Sequence, residues 1–394
     1  MKKENILNYL FMLYAFLIPL SRAGIIVVTI LIMLSWFIEG GIKNKLKLIL
    51  SNKFILSIFA LFSLIFISIL WVEESNYASW LHYMNKFWYF LPLLALYTSI
   101  KKEFIHKILY SFIIAMVISM LFSYGVILDI VDGRSAVSFF MTNYIMYGIF
   151  LAITSLYLII LAINNSNIIY KILYIFLSIL FIYILFLNEA RTGHFSFIIG
   201  VFVIGFIYTK QSIKMLLYLL IFAILSTTII YNFNHNFRNR IIAIYNNVEN
   251  IENNNLCNSI GGRLVTWQIA YDIFQSEPIL GMGTGDHLIY LKESMDIRLP
   301  NCKMTDRIDY FHSQYIEMLA QNGVVGLFLL IIIFYFLWKV DIKDKNLNYL
   351  KNILIVLFLA IFLADVPFRK QFAIALFSLI SGVILAQQRM EKSV

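Results

Sequence analysis

The stretch "IIYKILYIFLSILFIYILFLNEARTGHFSFIIGVFVIGFIY", Ile168 to Tyr208, decides the fold. It is apolar almost throughout, except for one short turn where Glu189, Arg191 and His194 fall together. A bilayer core about 30 Å thick is crossed by about 20 apolar residues in a helix, so the run reads as two spans joined by a turn. A charge at membrane depth costs on the order of 2 to 3 kcal/mol even on lenient insertion scales, so the turn needs a reason. Arg191 snorkels to the interface, or pairs with Glu189, or meets an anion at the membrane face.

Working outward, the same pattern fills the chain. With 61% hydrophobic and 13% charged among 394 residues, there is too little polar surface to cover a soluble fold. The chain reads as an all-α polytopic membrane protein with about twelve transmembrane helices. Their limits are 5–20, 23–39, 54–71, 87–100, 107–130, 144–163, 168–187, 194–209, 213–232, 316–340, 349–365 and 371–388, the tenth interrupted by "QNG". The basic start followed by an apolar run is read as a retained first span, since no small-residue cleavage site follows it.

Basic residues set the orientation. "MKKEN", "GIKNKLKLILSNK", "KKEFIHK", "TKQSIK", "DIKDKNLNYLK" and "RMEKSV" share one side, which the positive-inside rule makes cytoplasmic, with both termini there. The formal charge of +9 is thus topological and argues against nucleic acid as a partner. Nine of the ten arginines fall outside: Arg22, Arg134, Arg191, Arg238, Arg240, Arg263, Arg298, Arg307 and Arg369. Guanidinium is a rigid, permanently charged, bidentate fork suited to phosphate, whereas ammonium is a hydrated point charge. The bias reads either as chance placement with snorkelling or as an external anionic ligand, most simply a phosphorylated lipid head group.

One external segment dominates and divides the chain into 1–231, 232–315 and 316–394: nine spans, a loop with short amphipathic helices, and three spans. The loop carries both cysteines, Cys257 and Cys302, as a disulfide or as two free thiols. In "SIGGRLVTWQIAYDIFQSEPILGMGTGDH", Trp267, Ala270, Tyr271 and Phe274 recur at helical spacing after the Gly261–Gly262 pair, and Glu277–Pro278 ends the pattern. Arg263 then sits in the first turn of a helix lying on the membrane, where the helix dipole calls for a compensating anion; a contact with Asp272 or Asp286 is the simpler reading. "GMGTG" follows no strand and reads as a turn. In "DRIDYFHSQYIEMLAQNGVVGL", His312 stands at or before the first turn of the tenth span, with Tyr310 and Gln314 beside it. A helix N-terminus disfavours imidazolium, which keeps the ring neutral and able to take a proton; an ordinary hydrogen-bonded histidine is the alternative. No H-x-x-x-H, C-x-x-C, D-x-D, P-loop or G-x-S-x-G appears, so neither a metal site nor another cofactor is expected.

The order "NEARTGHFSFIIG", then "GGRLVTWQIAYDIFQSEPILGMGTGD", then "HSQYIEMLAQNGVVGL" resembles the O-antigen ligase and polymerase superfamily, in motif detail over about Asn188 to Leu327. Weaker echoes are "IPLSR" and "MNKFWYFLPLL" around Lys86. The resemblance implies a metal-independent glycosyltransferase at the periplasmic face of the bacterial inner membrane, using a polyprenyl-pyrophosphate-linked glycan. It implies Arg191 and Arg263 on the diphosphate and His312 beside the attacking hydroxyl. Lys86, Arg134, Arg238, Arg240, Arg307, Tyr310 and Gln314 are further candidates for substrate contact. A single dominant external loop favours a ligase, with the lipid A-core as acceptor, over a polymerase, whose acceptor is a second lipid-linked glycan. A flippase for the same lipid is the rival outside the transferases, but no half-to-half similarity or midplane site is evident.

Overall fold

The computed structural model describes residues 5–130, 144–188, 191–209, 256–300, 302–303 and 305–392, together with isolated positions between 217 and 249. Among these residues every regular element is helical. The helices are α1 (Ile6–Leu17), α2 (Arg22–Ile38), α3 (Ile42–Ser51), α4 (Lys53–Ile67), α5 (Tyr77–Met84), α6 (Leu91–Ser99), α7 (Ile105–Ile127), α8 (Tyr144–Asn164), α9 (Ile168–Leu187) and α10 (Arg191–Tyr208). After a gap in the described residues come α11 (Ser259–Ser276), α12 (Asp286–Arg298), α13 (Gln314–Trp338), α14 (Lys345–Phe362) and α15 (Gln371–Lys392).

Eight helices among the described residues are long and apolar enough to cross a membrane, or nine if α2 and α3, bent by 114° at Gly40–Gly41, count as one. Three expected spans are not among the eight for another reason. α1 has 12 residues and α6 only 9, because the chain enters α6 through the 3-10 turn Phe87–Phe90. The expected span 213–232 lies largely outside the described residues.

α8 and α15 are enclosed on nearly every side, while α9 exposes Ile169, Ile172, Phe176 and Ile179 along its length. A helix so apolar on its open face is solvated by lipid. α10 lies in a groove between α8 and α14. At Gly193 a Cβ would stand 3.0 Å from the Cα of Gly148, so the two backbones approach as small residues allow. Tyr208 meets Tyr349 at one end of the α10–α14 pair, and Gly200 faces Leu357 midway. Continued along the antiparallel pair, that register puts Arg191 level with the Asp365–Val366 turn.

Two ends result. At one, Lys101 reaches Asn5, Arg389 donates to Ile100 O and Glu391 accepts from the backbone of Lys343, uniting the lysine-rich segments. At the other, α11 and α12 form a lobe whose core of Val265, Ile269, Ile273, Leu291, Met295 and Phe311 is separate from that of the bundle. The Cys257–Cys302 disulfide closes this lobe.

The lobe is stitched into the bundle. α13 breaks at Asn322 and Gly323, the glycine at φ 60°, which opens the backbone ladder within "QNG". The "PILGMG" segment fills the gap: Met282 and Gly283 donate to the carbonyls of Ala320 and Gln321, and Val324 and Val325 donate to those of Pro278 and Ile279. A Cβ on Gly323 would fall 2.3 Å from Ile279 O. Irregular backbone near a membrane persists only where protein supplies the missing partners, as here.

Candidate functional site

The carboxylate of Asp286, at the start of α12, accepts from Glu73 N and Asn76 Nδ2, so the lobe is clamped over the segment that leads through α5 to Lys86. Between them opens a cleft of about 450 Å³ lined by Arg22, Lys86, Tyr310, Arg369 and Lys370. A second hollow of about 270 Å³ shares Lys86, Arg369 and His82. Arg369 is placed by its neighbour: Phe368 is buried among Phe362, Phe334 and Phe377, and its amide donates to Gln314 Oε1 at 3.1 Å. Arg369 then donates to Asp309 O at 2.8 Å and lies 3.5 Å from the buried carboxylate of Glu317. Lys370 pairs with Asp365 at 3.2 Å and stands 4.8 Å over the Tyr310 ring.

His312 precedes α13 by two residues and has φ 55°, a left-handed turn that costs a non-glycine residue about 1 to 2 kcal/mol. Its neighbours enforce the turn. Phe311 is buried in the lobe core, and the Ser313 hydroxyl caps α13 while donating to Phe362 O. The half-buried ring lies 4.3 Å from that of Tyr310. Burial, then the charge of Arg263, lower its pKa from 6.5 to about 4, with Lys370 acting the same way and Asp365 and Asp309 opposing. Desolvation and the Arg263 charge both favour the neutral ring.

Arg263 lies one turn before Trp267, whose indole N–H donates to Phe311 O at 3.0 Å, next to His312. One sequence expectation about this helix changes. It begins before the glycine pair, with Asn258 accepting from Ile260 and Gly261, so Arg263 stands in the second turn and the first-turn N–H groups are already capped. Of its apolar stripe, Trp267 and Tyr271 are exposed and Ala270 is buried, while Val265, Ile269 and Ile273 pack into the lobe. Asp272 bonds to Arg298 and Asp286 to the 73–76 segment, so neither neutralises Arg263.

The structure thus gathers Arg263, His312, Tyr310 and Lys86 at one end of the bundle, and the α10–α14 register puts Arg191 at the same end. Lys86 is held below the usual lysine pKa by burial and then by Arg369 and Arg22. Gln314 is fully buried and braces the 365–368 turn instead of lining the cleft. Arg238 bonds to the carbonyls of Tyr231 and Asn232. Arg307 lies in the turn Thr305–Arg307, and Arg134 and Arg240 fall outside the described residues. Sequence reasoning placed Arg369 and Lys370 near no motif, and Arg22 only in the faint echo "IPLSR". The available signal was the adjacent Arg369–Lys370 pair after Pro367 at the head of the last span.

Residues 176–331 match the O-antigen ligase family model. No curated protein matches the chain. The O-antigen ligase match runs from within α9 past the break in α13, so it takes in Arg191, Arg263, Tyr310 and His312 and leaves Arg22, Lys86, Arg369 and Lys370 outside. It agrees with the superfamily resemblance of the motifs and supports a ligase- or polymerase-type, glycosyltransferase-like enzyme in a membrane.

Proposed function

We propose that this protein is an O-antigen ligase, which transfers a glycan from polyprenyl pyrophosphate to a sugar hydroxyl of lipid A-core at the periplasmic face of the inner membrane. The observation that carries it is the approach of Arg263 and a neutral His312 to one basic cleft at the end of a membrane bundle. In this reading Arg263, Arg191 and Lys86 bind the donor diphosphate. The glycosyl C1–O bond to the diphosphate breaks while the acceptor oxygen bonds to C1. The acceptor proton passes to His312, and the departing polyprenyl diphosphate keeps the electron pair, its charge met by fixed guanidiniums at a low-dielectric boundary. Arg369 and Lys370, already paired with Glu317 and Asp365, shape the cleft and add field.

A base with a pKa near 4 is unprotonated at neutral pH but weak. Donor binding answers this: a diphosphate beside Arg263 and Lys370 offsets the two cations that hold the imidazole down, so His312 gains basicity once the donor is seated.

The test is transfer from a polyprenyl-diphosphate glycan by purified protein carrying Arg191→Ala or Arg191→Lys. Loss in both supports the assignment, and full activity in both removes it. Deletion separates ligase from polymerase: losing a ligase leaves long glycan on the carrier and bare core, whereas losing a polymerase leaves core capped with one repeat unit.

A further inference from the structure

The lysine-rich end, opposite the arginine cleft, holds a cavity of about 520 Å³ where the α3–α4 corner meets the ends of α13 and α15. Four cations line it: Lys53, Lys339, Arg389 and Lys392. No carboxylate among the described residues does. Of the acids nearby, Glu39 pairs with Lys45 at 2.7 Å, accepts from the Ser99 hydroxyl and bears electrostatically on Arg389; Glu391 is held by the backbone of Lys343 and Asp344 and by Gln387; and exposed Asp341 follows Val340. Arg389 is held in place by the carbonyls of Thr98 and Ile100, and Lys339 lies 4.9 Å over the Trp338 ring. Lys53 and Lys392 are exposed, and neither has a hydrogen-bond or ion-pair partner among the described residues.

The rest of the wall is apolar, with Phe54, Phe336 and Val340 inside and Leu50, Tyr335 and Trp338 exposed around it. Exposed Tyr and Trp at the end of a span mark the water–lipid boundary. A cavity at that depth with a surplus of positive charge and an apolar rim fits a ligand that is anionic at one end and hydrocarbon at the other.

We propose that this cavity binds the head group of an anionic phospholipid, its phosphate between Lys53, Lys392 and Arg389 and its acyl chains along the rim of Leu50 and Trp338. The site is far from the transfer chemistry and does not depend on that reading. Its role is to fix the corner where α2, α3 and α4 turn.

Native mass spectrometry of the full chain in detergent tests this with phosphatidylglycerol and phosphatidylcholine of matched acyl chains. The expected result is one retained phosphatidylglycerol, with phosphatidylcholine released. The Lys53→Gln/Lys392→Gln double variant, which alters two exposed side chains, should bind it roughly tenfold more weakly. Lys43→Gln/Lys47→Gln, on the same end but outside the cavity, should bind as the parent does. Equal retention of both lipids, or undiminished binding by the Lys53/Lys392 variant with its melting temperature preserved, would overturn the proposal. Displacement by inorganic phosphate at equal concentration would also overturn it, by showing a soluble-anion site.

Discussion

The two ends of the bundle carry similar charge and use it differently. At the lysine-rich end three cations are spent on backbone: Lys45 donates to Trp36 O at 2.8 Å, Lys351 to Val340 O at 2.6 Å, and Arg389 to Ile100 O at 2.7 Å, each meeting carbonyls where helices end. At the arginine end, Arg263 and Lys86 have no such partner among the described residues, and the paired Arg369 and Lys370 still face an open cleft. One end spends part of its positive charge on closing helices. Among the described residues, the other keeps Arg263 and Lys86 unpaired beside the helices of the lobe.

That contrast can be broken by substitution. Glu317→Ala should have the largest effect, about 3 to 5 kcal/mol of lost stability, because it strands the largely buried Arg369 guanidinium; a thermal melt reads it. An unchanged melt would mean that the Glu317–Arg369 pair does not hold the cleft. Arg263→Ala should lower kcat for transfer roughly 100- to 1000-fold with little change in melting temperature. Its counterpart at the other end, Lys351→Met, should do the reverse, costing about 1 to 3 kcal/mol and leaving the donor KM alone. If the two variants behaved alike, the division of labour between the ends would fail.

The lobe gives a test of similar size. Cys257→Ser removes a closure spanning 45 residues, worth about 4 kcal/mol in the chain-entropy account, and hydrogen exchange should show α11 and α12 opening while α8 and α15 stay protected. The smallest effect is in pH. His312 titrates near 4 in the free enzyme, so kcat/KM should hold down to about pH 4 and the acid limb of kcat should lie higher, because bound diphosphate favours imidazolium. A limb at 6.5 in kcat/KM would show an ordinary, solvated histidine. His287, buried and held near 3, and His312 bind protons more readily in the unfolded chain. Stability therefore falls as pH drops from 6.5 and levels off once both are protonated in the native state.

The spans were legible because apolar runs of bilayer length have few other uses, and the lysine segments found one another because topology is written in short loops. α1 and α6 were harder. Both have the composition of spans, but α6 is entered through the 3-10 turn Phe87–Phe90 and packs against α15, which no local pattern records. Around the site, Arg191, Arg263 and His312 stood out by motif and Lys86 by a faint one. Arg369 and Lys370 did not, since their meaning comes from Asp309, Glu317 and Tyr310, distant in sequence. The start of α11 was misjudged because a glycine pair looks like an entry, whereas Asn258 was the cap. Gln314 looked like a ligand by adjacency, and only the fold shows it facing inward.

The break in α13 bears on how the protein is made. At Asn322–Gly323 several main-chain groups have their partners in Pro278–Gly283, a segment of the lobe. A nascent α13 entering lipid alone would leave those groups bare in hydrocarbon, at several kcal/mol each. Completion of this helix and docking of the lobe are therefore coupled in biogenesis, because each supplies main-chain partners that the other lacks.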